Sequence, residues 1–174
     1  MSTPTEICAY LNVLENQNRD LFNWNYYHTK HYWTVEYKGK GSVPLCKLYL
    51  ELDSRFLYIH AFIVKKPVTP ECRLAMFYFL LRLNDELPIV KFGLDSYGKV
   101  VLMVEAGADQ VSLSGFKDLV EAAVVVFGQY YQEVELLARE PELANLLLTQ
   151  YGEADRTTIK ILNKSVNPNS KEGD

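Results

Sequence analysis

Residues 45–64, LCKLYLELDSRFLYIHAFIV, hold the strongest constraint in the chain. Two runs of period-two alternation flank the polar pair Asp53–Ser54, the pattern of a β-hairpin. Alternate side chains of a strand point to opposite faces. One face therefore collects Cys46, Leu48, Leu50, Leu52, Leu57, Ile59, Ala61 and Ile63, a plain core set. The other collects Lys47, Tyr49, Glu51, Phe56, Tyr58, His60 and Phe62, neither polar nor apolar as a group. Any fold for this chain has to cover the first set and explain the second.

The flanking segments supply the covering elements. Thr3 and Pro4 open a helix with a capping hydroxyl followed by proline at the first helical position. Ile7, Tyr10, Leu11 and Leu14 form its stripe, and the polar run at 16–20 ends it. HYWTVEYKG adds a strand, with His31, Trp33, Val35 and Tyr37 on one side. VTPECRLAMFYFLLRLNDELP reads as a second helix starting at Thr69–Pro70 and stopping at Pro88. Apolar residues surround that helix almost completely, so burial on most sides is expected. PIVKFGLDSYGKVVLMVEAG predicts a second hairpin, with Gly98 where its turn needs a positive φ. A long helix follows, capped from Ser112 or Ser114 and ended before Pro141, with Phe116, Leu119, Ala123, Val126, Phe127, Tyr130, Val134 and Leu137 inward. PELANLLLTQYG suggests a last short helix with Leu143, Leu146 and Leu147 on one side and Gly152 as its stop. RTTIKILN is either a short strand or a docked extension, and the polar residues after it predict a frayed tail.

This order, α-β-β-β-α-β-β-α, defines an α+β domain over residues 1–140, with a sheet of about five strands and a C-terminal extension at 141–174. Together with LLRLNDELPIVKFGLDSYGKVVLMVE at 80–105 it resembles the YbjN family and the wider type III secretion chaperone-like fold. The motifs carrying the likeness are a helix ending in Leu83–Asn84, an apolar strand, the turn from Asp95 to Gly98, and a strand of alternating hydrophobics. The resemblance covers roughly residues 4–140. It implies a curved antiparallel sheet, frequent dimerisation and binding of protein segments, with no catalytic residues to carry over.

Charge and motif content narrow the function classes. A net charge of -4 disfavours nucleic acid, whose binding rests on phosphate neutralisation. Three widely spaced cysteines, Cys8, Cys46 and Cys72, among apolar residues point to reduced core thiols in the cytosol. No apolar run reaches the roughly 18 residues of a membrane span, and MSTPTEICAYL lacks the basic start of a secretory signal. His28 and His31 form an H-x-x-H pair, but a zinc site built on histidine needs three or four ligands at defined spacing. KGKGS at 38–42 sits between strands rather than before a helix, so it cannot cradle phosphate as a P-loop does. No Ser lies in a nucleophile elbow, and alternation puts Cys46 and His60 on opposite faces. No cofactor is called for.

Tyr49, Tyr58, His60 and Phe62 remain, joined by Val101 and Met103 from the second hairpin. Covered by a helix or by the C-terminal extension, such a face is core; left open, it is a contact surface. NWNYYHTKHYW at 23–33 then reads as the lead-in to a strand whose rings seal the core or border that surface. The expectation is a non-catalytic, homodimeric, protein-binding module with Trp33, Tyr49, Tyr58, His60, Phe62 and Met103 as contact residues. The alternative is a small-molecule-binding regulatory domain with its pocket between the sheet and the long helix.

Overall fold

The structure, a computed structural model, describes residues 2–28, 32–38 and 44–152. Its centre is a six-stranded antiparallel sheet: β1 (Phe22–Tyr27), β2 (Tyr32–Tyr37), β3 (Cys46–Leu52), β4 (Phe56–Phe62), β5 (Lys91–Leu94) and β6 (Val100–Gly107). The spatial order is β1-β2-β3-β4-β6-β5, leaving β1 and β5 at the two ends. The sixth strand is the difference from the expected five. FNWNYY alternates Phe22, Trp24 and Tyr26 with Asn23, Asn25 and Tyr27, and pairs with β2 from Phe22↔Tyr37 to Tyr27↔Tyr32. The stretch that reads as a lead-in is thus most of a hairpin of its own.

Four helices accompany the sheet among the described residues. The helix α1 (Pro4–Gln17) starts in a reciprocal cap: the Glu6 amide donates to Thr3 Oγ1 (3.3 Å) and the Thr3 amide to Glu6 Oε2 (2.7 Å). The Thr3 amide, joined by the Thr3 hydroxyl at 3.0 Å, holds the Glu6 carboxyl below its ordinary value. The second, α2 (Arg73–Glu86), is entered through a 3₁₀ turn, Pro70–Cys72, and Thr69 does not cap it. The Thr69 hydroxyl instead donates to the Ala138 carbonyl (3.4 Å), tying the start of α2 to the end of the long helix α3 (Leu113–Leu137). Ser112 is the residue that caps α3, accepting from the Gly115 amide at 3.1 Å. A last helix, α4, is described from 141 to 152, so Gly152 is still helical.

The core lies between one face of the sheet and α1 and α3. Ile7, Leu11 and Leu14 of α1 and Phe116, Val120, Ala123 and Phe127 of α3 meet Trp33, Val35, Leu48, Leu50, Leu57 and Ile59. Burial pushes the Cys46 thiol up to about 12, so it packs as an inert hydrophobe. On α4, Ala144 is buried and Leu147 and Leu148 pack on the core, while Leu143 and Leu146 face solvent.

The side chains of α2 overturn the expectation of burial on most sides. Ala75, Met76, Leu80 and Leu83 face inward. Leu74 (57%), Phe77 (48%), Tyr78 (42%) and Leu81 (66%) are exposed, recurring at helical spacing as one outward stripe. Asn84, at the end of α2, fixes β5 to it: its carboxamide donates to the Phe92 carbonyl (2.9 Å) and accepts from the Phe92 amide (2.6 Å). That double bond set is the physical content of the Leu-Asn ending. In the turn after β5, Asp95 Oδ1 accepts from the Tyr97 and Lys99 amides, and Gly98 takes φ 79°. No helix among the described residues is long and apolar enough to cross a membrane.

Candidate functional site

The second face of the sheet has no described helix over it; α1 and α3 both pack on the first. Strand register arranges the open face as rows running across the strands. One row is Tyr27, Tyr32, Glu51, Tyr58 and Glu105. The next is Asn25, Thr34, Tyr49, His60, Met103 and Lys91. A third places Phe62 beside Val101 and Gly93.

Between these rows, along β4, β6 and β5, runs a trough of about 510 Å³ lined by Tyr58, His60, Phe62, Met103, Leu94 and Asp95 among others. Gly93 helps to make it. A Cβ there would stand 3.0 Å from the Met103 methyl, so glycine is what lets that side chain lie flat beside β5. Met103 (43%) and Phe62 (38%) are exposed, whereas Tyr49, Tyr58 and His60 are half-buried. Tyr49 stacks on His60 with centroids 5.8 Å apart and meets Phe62 edge-on at 5.9 Å.

Electrostatics differ between the ends. The Tyr58 hydroxyl donates to Asp53 Oδ2 at 3.4 Å, and desolvation together with Asp53 and Glu105 pushes its phenol above the ordinary value. Asp53 is itself held low by the Arg55 and Phe56 amides, which close the β3–β4 turn. At the other end Lys47 lies 3.0 Å from Glu36 and Lys99 sits 5.6 Å over the Phe62 ring. Burial lowers the His60 imidazole below its ordinary value, with Glu51 pulling the other way.

Of the six expected contact residues, five share this face: Tyr49, Tyr58, His60, Phe62 and Met103. Trp33 does not. It is 0% exposed on the covered face, and its indole Nε1–H donates to Cys8 Sγ at 3.3 Å. Alternation had already placed Trp33 beside Val35 and opposite Tyr32, so its large apolar ring fills core where a contact residue was expected. Sequence reasoning missed Gly93, whose signal is a glycine inside a strand pattern, and the Tyr27–Tyr32 pair, stacked at 4.6 Å. Thr34 is nearly fully buried and its hydroxyl has no hydrogen-bond partner among the described residues. His28 packs edge-on against Tyr26 at 4.3 Å, while His31 and 39–42 of the glycine-rich run lie outside the described residues, as do RTTIKILN and the tail.

No protein-family model matches the sequence, and no curated protein matches it at a significant level. Solved structures do match. The ExsC–ExsE complex aligns with a TM-score of 0.48 at 14% identity, over 76% of this chain and 96% of that one. The HopA1–SchA chaperone–effector complex aligns at 0.49 and 12%, over 72% and 93%. YbjN from E. coli aligns at 0.53 and 15%, over 75% of this chain and 90% of YbjN. The helix–sheet order, the Asn84 clasp and the Asp95–Gly98 turn thus sit in a chain that shares the α+β fold of YbjN.

Proposed function

We propose that this chain is a non-catalytic protein-binding module of the cytosol that holds a partner segment on its open sheet face. The observation that carries the reading is the set of half-buried rings, Tyr49, Tyr58 and His60, with exposed Phe62 and Met103 beside them on a face no described helix covers. Aromatic side chains of this kind offer large contact area at little entropic cost, and a methionine adapts its shape to what it meets. The chaperone-like fold supports the same reading by analogy. The outward stripe of α2, Leu74, Phe77, Tyr78 and Leu81, supports self-association as a homodimer through a separate surface.

A small-molecule regulator finds less room where it was expected. The cleft between the sheet and α3, lined by Phe22, Tyr37, Val120 and Val124, holds about 220 Å³, below the roughly 300 Å³ at which ligand pockets begin. A depression of about 450 Å³ beside Ile63 and Phe127 carries Lys65, Lys66 and Arg139. There the Arg139 guanidinium is already held by the Pro67 and Lys66 carbonyls.

The deciding experiment is affinity co-purification of the tagged wild type beside Tyr58→Glu, with both folds checked by circular dichroism. A stoichiometric protein lost only in the folded variant is the expected result. A partner retained by Tyr58→Glu, or a variant that unfolds because Tyr58 is core, rejects the proposed face.

A further inference from the structure

The open face is charged unevenly along its length. At one end Glu51 and Glu105 are exposed on either side of the Tyr58 ring, in one cross-strand row. Neither carboxylate belongs to an ion pair among the described residues, whose bridges are Lys47–Glu36, Arg82–Glu86, Lys117–Glu121 and Arg139–Glu135. Asp53 adds a third negative group beside the Tyr58 hydroxyl. At the Phe62 end the Lys99 ammonium lies over that ring, and the carboxylate beside it, Asp95, is engaged by the Tyr97 and Lys99 amides. Lys91 falls in the middle row but is turned away, donating to the Asn84 and Leu87 carbonyls at the end of α2. The rows of Tyr58 and Phe62 are four residues apart along β4, which at the rise of a strand is about 13 Å.

Resting on the protein-binding reading above, we infer that the trough takes an extended apolar segment of opposite polarity. A Lys or Arg of the segment lies over Glu51 and Glu105, alternate apolar side chains cross Tyr58, His60, Phe62 and Met103, and an acidic side chain reaches Lys99. The trough follows the strands, so an extended chain lying in it sets its two charges about four residues apart. Exposed ion pairs contribute only about 0.2–1 kcal/mol each. The apolar contacts therefore supply most of the affinity, and the charges select the direction in which the segment lies.

The test is selection of a random dodecapeptide phage library on the full-length protein, with Tyr58→Glu as background. Synthetic versions of the selected peptides are then measured by fluorescence anisotropy. The wild type is expected to select peptides that place a Lys or Arg about four residues from an acidic residue, with apolar residues between them. The double variant Glu51→Lys/Glu105→Lys should weaken such a peptide about three- to tenfold, and replacing the peptide's basic residue by Glu should restore binding. Glu51→Gln/Glu105→Gln, which changes no shape, should give a smaller loss in the same direction. Selected peptides without a basic preference, or unchanged by charge reversal, overturn the inference and leave protein binding standing. No enrichment above the Tyr58→Glu background rejects protein binding itself. Loss of self-association in the charge-reversed variant assigns the face to a second copy and overturns the inference as well.

Discussion

On the covered face of the sheet, Trp33, Leu48, Leu50, Leu57 and Ile59 meet α1 and α3 and are sealed from water. One residue along each strand, Thr34, Tyr49, Glu51, Tyr58 and His60 belong to the face that no described helix covers. The same alternation builds both, so periodicity says which residues travel together and nothing about what lies above them. Composition carries the remainder. The covered set is aliphatic apart from one tryptophan, and close-packed interiors suit such side chains. The open set consists of rings with polar tips, a thioether and charges, which tolerate water on one side.

The largest effect should come from the covered face. Trp33→Ala removes a ring with no exposure at all, and a loss of about 3–5 kcal/mol is expected in denaturant unfolding. Tyr58→Ala, across the sheet, should cost less than about 1.5 kcal/mol because its ring is already part solvated. Equal losses at the two positions would erase the distinction between the faces. Next comes the stripe on α2. Leu74→Asp/Leu81→Asp should leave the monomer folded by circular dichroism and convert the proposed dimer to a monomer in light scattering, with a melting temperature that no longer depends on concentration; an unchanged mass would remove that stripe as the contact. Asn84→Ala strips both hydrogen bonds from the Phe92 backbone and should lower stability by about 1–3 kcal/mol, with hydrogen exchange fastest at β5. A spread of faster exchange over the whole sheet would instead mean that β5 and the core unfold as one unit.

The smallest effect is in the pH profile. Burial keeps the folded-state value of His60 below the ordinary 6.5. The folded chain therefore takes up the His60 proton less readily than the unfolded chain, and stability falls as pH drops below about 6.5. His60→Gln should flatten that part of the curve, and a wild type and variant with parallel curves would show that the imidazole is as well solvated as the free residue.

The sequence made much of this legible, for reasons that differ by element. Both later hairpins and the α1 cap are local chemistry: Asp53, Asp95, Gly98 and the Thr3–Glu6 pair act on residues within a few positions. The first hairpin was harder because asparagine alternating with tryptophan and tyrosine lacks the β-branched signature of a strand. The outward stripe of α2 was not legible at all, since a helix apolar all round looks the same in sequence whether or not the rest of the chain covers it. Trp33 was misassigned because a large aromatic suits a core and an interface equally well. Five of the six contact candidates came together because they follow from one register that two turns hold in place.

The Asn84 carboxamide presents one donor and one acceptor to Phe92 at the spacing of a neighbouring peptide group. It stands where the next strand would begin, on the outer side of β5. Edge strands with unfilled backbone groups recruit other chains into larger sheets and aggregates. A single side chain from α2 thus works as a stopper against growth of the sheet in that direction. In a crowded cell, the variant lacking it should betray itself first through β-rich deposits and only afterwards through lost binding.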